Sequence, residues 1–270
     1  MNPNPKEIPS ILEAKPLPTP TSEGKIETKG ARIWYSVYGN GNPLVLLHGG
    51  LGNSENWSYV VEPLTRAGNQ VILMDTRGHG RSLIYDETYS YGQMAEDVKT
   101  ILEFLKINKA GFIGWSDGAV TSMILADRYP EMVTGVFYFA CNMDDSGTLT
   151  EPNFNEQVIS IFRRHRSDYE RLNTSETKFD DFVGKVSEMQ KTEPNYTASD
   201  LKRIKTPVCI AQSELDEFIK MEHAVYLADT LPNAKLNVLE GVSHLAPLQD
   251  PELFATEIIR FFIQNLFTNC

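Results

Sequence analysis

Gly114-Trp115-Ser116-Asp117-Gly118 sets a serine between two glycines. The apolar run Ala110-Gly111-Phe112-Ile113 precedes it, and a helical pattern from Ala119 to Arg128 follows. Strand, sharp turn, helix is the order that lifts a serine hydroxyl above a sheet edge, with glycines where neighbouring chain leaves no room for side chains. A serine hydroxyl is a weak nucleophile at neutral pH. It attacks a carbonyl when a base takes its proton and a carboxylate orients that base. The chemistry on offer is acyl transfer, and the rest of the chain must supply the base, the acid and two N–H donors.

The base expected is His244, in Gly241-Val242-Ser243-His244, directly after the strand-like run Lys235-Leu236-Asn237-Val238-Leu239. The acid should leave the preceding strand, and after Val208-Cys209-Ile210-Ala211 come Glu214, Asp216 and Glu217. Asp216 sits at the favoured offset, with Glu214 as the alternative. The order Ser116, Asp216, His244 is that of a G-x-S-x-G nucleophile with its triad partners. The oxyanion donors expected are the backbone N–H groups of Asp117 and of Gly50, in the loop His48-Gly49-Gly50. Gly49, Trp115 and Asp117 are the expected substrate contacts, with Trp57 a weaker candidate.

Asp117 is the unusual residue. A carboxylate beside the nucleophile disfavours an oxyanion unless it serves another purpose, such as holding a cationic substrate group like an α-amine. The alternative is that it turns away and pairs with Arg77 or another base. The other histidines read as structural: His48 shaping the oxyanion loop, His79 with Arg77 in a turn, His223 on a helix surface. His165, in Arg163-Arg164-His165-Arg166, reads as a solvated face whose charge would attract acidic substrates.

These parts need a frame. Lys25 to Tyr38 is β-rich and alternating, and Leu44-Val45-Leu46-Leu47 and Val71-Ile72-Leu73-Met74 are continuous apolar runs, as in strands buried on both faces. Asn53 or Ser54 can cap a helix through Trp57 and Leu64, and Ser90 one carrying Met94, Val98, Ile101, Leu102 and Leu105. Val133 to Ala140 is a strand, and a helix runs from about Lys220 to Leu231. Asp250-Pro251 opens a last helix burying Phe254, Ile258, Phe261 and Phe262. Alternating strands and helices predict a parallel sheet covered on both sides. Between Asn142 and Arg203 the pattern turns polar and helical, with amphipathic pieces at Phe154–Arg166 and Phe179–Met189.

Composition excludes other classes. With 41% hydrophobic and 23% charged residues the chain is an ordinary globule, and a net charge of −11 disfavours nucleic acid or anionic membrane as partners. Cys141, Cys209 and Cys270 lie far apart without metal spacing and read as free thiols, the first two buried. No metal motif and no complete dinucleotide fingerprint appears, so neither a metal nor a cofactor is expected. The proline-rich start reads as an extended or disordered arm. No signal peptide is evident, which points to the cytoplasm; periplasmic or secreted placement is the alternative if an export signal has been removed.

With His48-Gly49-Gly50, Asp75-x-Arg77-Gly78-x-Gly80-x-Ser82, the elbow and the acid and base loops in place, residues 25–266 resemble the α/β-hydrolase fold family. Around the nucleophile, Trp115-Ser116-Asp117-Gly118 is similar to the valacyclovir-hydrolase-like branch of small esterases. The resemblance implies a mostly parallel central sheet with helices on both faces and an inserted helical cap. The expected divisions are an arm at 1–24, a core at 25–141 and 204–270, and a cap at 142–203. The implied activity is hydrolysis of an ester or related acyl bond of a small molecule. Carbon–carbon bond or lactone hydrolysis by the same triad, or a non-catalytic small-molecule-binding protein, are the alternatives. Serine at the elbow, where haloalkane dehalogenases and epoxide hydrolases need a carboxylate, argues against those chemistries.

Overall fold

The computed structural model of the chain describes residues 8–86 and 89–267, so Cys270 lies outside the described residues. The strands and helices in chain order are β1 (Ser22–Thr28), β2 (Ala31–Tyr38), β3 (Asn42–Leu47), α1 (Val61–Arg66), β4 (Asn69–Met74), the short β5 (Leu83–Ile84), α2 (Tyr91–Phe104), β6 (Ala110–Trp115), α3 (Asp117–Arg128) and β7 (Val133–Phe139). There follow α4 (Glu156–Leu172), α5 (Phe179–Thr192), the single turn α6 (Ala198–Leu201), β8 (Val208–Ser213), α7 (Met221–Thr230), β9 (Ala234–Leu239), the short α8 (Ala246–Gln249) and α9 (Pro251–Phe267).

The strands form one sheet in the order β1-β2-β4-β3-β6-β7-β8-β9, with β5 on β2. From β4 to β9 all pairings are parallel; β1 and β2 join antiparallel. Because side chains alternate across a strand, the apolar runs feed two cores at once. Val45, Leu47, Phe112, Val136 and Tyr138 pack on one face with α2, α3 and α7. Leu44, Leu46, Ile113, Phe137 and Phe139 pack on the other with α1, α8 and α9. Continuous burial of Leu44 to Leu47 is the reason these strands show no polar alternation.

Three local expectations are corrected. β1 starts at Ser22 rather than Lys25, because Ser22 already pairs with Val37, and a turn through Gly30 (φ +74°) divides the expected strand into a hairpin. The helix expected from Asn53 is instead a short 3-10 turn, Ser54–Trp57, closed by an Asn53–Asn56 capping box and separate from α1. Ser90 precedes α2 but its side chain does not cap it. Glu193, at the end of α5, accepts the Tyr91 N–H at 3.0 Å instead.

In α9, Phe254 and Ile258 are fully buried, while Phe261 and Phe262 are half-buried against the same core. Asp250 opens that helix by accepting the Leu253 N–H at 2.9 Å. Residues 8–21, before β1, have no regular structure but are tied down. Ile11 N–H donates to Gln157 of α4 at 3.0 Å and Leu12 N–H to the Leu248 carbonyl at 2.8 Å. Among the described residues no helix is long and apolar enough to cross a membrane.

Candidate active site

At the end of β6, Ser116 takes φ 53° and ψ −120°, a left-handed backbone that costs a non-glycine residue about 1–3 kcal/mol. Its N–H donates to the Phe139 carbonyl at 2.9 Å and its carbonyl accepts from Ala119 at 2.7 Å, which hold the turn. Gly114 and Gly118 make it possible. A Cβ on Gly114 would run into the backbone of Gly118 and Ala119, and one on Gly118 into the Leu47 carbonyl. Asp117 is the first residue of α3, so its N–H has no intrahelical acceptor and faces out of the helix start.

The loop after β3 is clamped from behind. His48 Nε2 accepts the Thr76 N–H at 3.1 Å, which leaves the proton on Nδ1, 2.8 Å from the Gly49 carbonyl it donates to. Burial lowers the His48 pKa and keeps the ring neutral. Asp75 accepts from the N–H groups of Ser54 and Arg81, each at 2.8 Å, and fully buried Arg77 pairs with Asp97 at 2.8 and 2.9 Å. The Asp75–Ser82 segment thus braces the loop carrying Gly49 and Gly50, and Asp75, Arg77 and His79 do not line the cavity above it.

Asp216, just past β8, is positioned by four donors. The Phe218 and Ile219 N–H groups reach it at 2.9 Å, Ser213 Oγ at 2.9 Å, and His244 Nδ1 at 3.2 Å from both oxygens. Burial opposes its charge, yet His244 and the two N–H groups outweigh burial and hold its carboxyl below the usual carboxylate range. For His244, burial disfavours the imidazolium, but Asp216, followed by Glu217 and Asp117, raises the pKa above the ordinary histidine value. Glu214, the alternative acid, accepts the Gly241 N–H at 3.0 Å and stands exposed, away from the imidazole.

Ser116, His244, Gly49, Gly50, Trp115 and Asp117 all line one cavity of about 460 Å³. It opens where β3 and β6, neighbours in the sheet, send their following helices to opposite faces, the crevice where open parallel sheets bind ligands. Trp115 faces it; Trp57 is sealed behind, its ring edge-on to Trp115 at 6.0 Å. Asp117 does not pair with Arg77. Its carboxylate accepts Tyr91 Oη at 2.9 Å and Gln190 Nε2 at 3.1 Å, and burial raises its pKa, partly offset by those two hydrogen bonds.

The model of the alpha/beta hydrolase fold family matches residues 42–138. The chain is 24% identical over 251 residues to the human serine hydrolase BPHL, spanning 88% of this chain and 85% of that one. It is 26% identical over 265 residues to rhodomycin D methylesterase DauP from Streptomyces sp. (strain C5), spanning 80% and 89%. Among solved structures it matches Est816, described as an N-acyl homoserine lactone degrading enzyme, with a TM-score of 0.73 and 25% identity over 88% of this chain and 100% of that one. The chain has the α/β-hydrolase fold.

In this α/β-hydrolase several side chains at the site escaped sequence reasoning. His165 is buried in the cavity wall rather than solvated, because the face of α4 that carries Val158 and Ile161 also carries position 165. His223 is buried too, its Nε2 accepting the Met143 N–H at 3.0 Å. Cys141 lies beside Ser116 in the wall, and burial keeps its thiol protonated. Glu217 binds the His244 N–H at 3.0 Å and Asn155, the N-cap of α4, at 2.9 Å. Tyr91 and Gln190 carried no signal in their own neighbourhoods. Glu217 did, as the third carboxylate of the acid loop.

Proposed function

We propose that this hydrolase cleaves an ester or related acyl bond of a small molecule through Ser116, His244 and Asp216. His244 accepts the Ser116 proton as Oγ attacks the carbonyl, and Asp216 stabilises the imidazolium and holds Nδ1–H. The N–H groups of Gly50 and Asp117 receive the oxyanion, each such donor worth about 2.7–4 kcal/mol of barrier. His244 then protonates the leaving group, and water repeats the sequence to release the acid. The observation carrying this reading is His244 held by both oxygens of a buried, ionised Asp216 while it shares one cavity with Ser116 at a strained turn.

Lactone opening is the favoured second reading, from the likeness to Est816. Asp117 narrows the substrate. Its described partners are a phenol and an amide with no cation among them, so the carboxylate is suited to a cationic substrate group such as an amine. Hydrolysis of short p-nitrophenyl esters, a lactone and an amino-acid ester, with fluorophosphonate labelling, tests these readings together. No turnover and no labelling that depends on Ser116 would leave a non-catalytic binding protein.

A further inference from the structure

The cavity wall contains a polar group that the triad does not use. Val158, Ile161, Phe162 and His165 recur along α4 at spacings that keep them on one side of a helix, and all four line the cavity. Three are apolar and the fourth is an imidazole. His165 is only 8% exposed, and its Nδ1 is sealed from solvent without a hydrogen-bond partner. The loop at Gly52 packs on the ring, where a Cβ would lie 3.5 Å from Cε1.

The arginines beside it do not share this environment. Arg163 is exposed, Arg164 donates to the Leu12 carbonyl, and Arg166 pairs with Asp180 at 2.6 Å. The basic cluster therefore sends a single member inward, and the expected attraction of acidic substrates does not follow from it. Burial, with His48 and Arg164 adding to it, pushes the His165 pKa down to about 3, so the ring is neutral at ordinary pH. A neutral imidazole carries one N–H and one lone pair. An unpaired acceptor is tolerated in a protein interior more often than an unpaired N–H. The sealed Nδ1 is therefore the bare acceptor, and the N–H sits on Nε2, on the edge of the ring left to the cavity.

We infer that His165 is a specificity-determining residue whose Nε2–H donates to an uncharged oxygen, a hydroxyl or ketone, on the part of the substrate held by α4. A neutral ring offers a carboxylate no counter-charge, while Val158, Ile161 and Phe162 suit a carbon skeleton around that oxygen. An unsubstituted alkyl chain would leave the donor unpaired, and sites built to hydrogen-bond a substrate group discriminate against analogues lacking it. The inference uses ester hydrolysis at Ser116 as its readout and rests on that reading.

The test compares p-nitrophenyl hexanoate and octanoate with counterparts carrying one hydroxyl or ketone at successive carbons. The wild type should favour the oxygenated ester at one position by about tenfold in kcat/KM. His165→Leu should abolish that preference, bringing the ratio of oxygenated to unsubstituted ester near one, while His165→Gln, which keeps an N–H donor, should retain most of it. Should the leucine variant not fold, the 15N shifts of His165 in Ser116→Ala protein decide. The favoured ester should move the Nε2–H signal, and the unsubstituted ester should not. A wild-type ratio near one at every position, a preference that survives His165→Leu, or unmoved 15N shifts would overturn the inference. If fluorophosphonate does not label Ser116 and no ester is turned over, the ester reading falls first and takes this one with it.

Discussion

The two walls of the cavity are built by different means. The wall that carries Ser116, Gly49, Gly50 and Asp117 is made by backbone at the ends of β3 and β6, with glycines where chains touch and His48 clamped behind. The facing wall is made by side chains of α4 and α5, apolar at Val158, Ile161 and Val183 and polar at His165 and Gln190. Links between them include Asp117 to Gln190, Glu193 to Tyr91, and Glu217 between His244 and Asn155. Backbone anchored in a parallel sheet cannot drift without breaking the sheet. Side chains on surface helices can change without touching it. In the proposed function the first wall carries the chemistry, and Asp117 together with the second wall contacts the substrate.

The comparison can be broken first at the elbow. Ser116→Ala should lower kcat by on the order of 10⁵–10⁶ while thermal melting stays within a few degrees of wild type; a variant retaining a tenth of the activity would remove the nucleophile assignment. Asp216→Asn should cost about 10⁴ in kcat, since an amide leaves His244 poorly oriented and its imidazolium uncompensated. The same variant has a pH signature. Activity needs neutral His244, and Asp216 stabilises the protonated form, so the acid limb of kcat/KM should inflect above ~6.5, the unperturbed histidine value. In Asp216→Asn the limb should move to lower pH, and an unmoved inflection would assign it to another group.

At Asp117, where the first wall meets Gln190 of the facing one, the effects should become selective rather than general. Asp117→Asn should reduce kcat/KM for amino-acid esters about 10–100-fold more than for neutral esters, the range expected for losing a charged hydrogen-bond partner. Equal losses on both would sink the amine reading. Asn155→Ala should be the mildest, costing about 1 kcal/mol through the lost helix cap. Hydrogen exchange should show this as faster opening of α4 with the central strands unchanged. Faster exchange spread evenly over β3, β6 and β7 as well would mean the two walls are not separable.

Much of the frame was legible from residues alone because its signals are local. A run such as Leu44–Leu47 announces a strand buried on both faces, and Asp250-Pro251 announces a helix start. Ser116, Asp216 and His244 each follow such a run directly, so their meeting at one sheet edge could be anticipated from strand order. Ser90 misled, since a capping residue type does not reveal whether another group, here Glu193, will satisfy the same N–H; Asn53 does cap, but the turn it opens stops at Trp57. His165 and His223 misled for a related reason. Charged or polar neighbours in sequence suggest solvent, yet on a helix the neighbours that matter are three and four positions away.

The sheet, the strained serine turn and the loops carrying Asp216 and His244 follow from local sequence, because steric and hydrophobic rules act over a few residues. The surroundings of Asp117 and His165 are set by long-range packing instead. Tyr91, Gln190, Glu217 and Asn155 come from segments far apart in the chain, and which of them meet depends on how α4 and α5 settle against the sheet. That settling is governed by packing summed over many weak contacts, and no single residue type announces it.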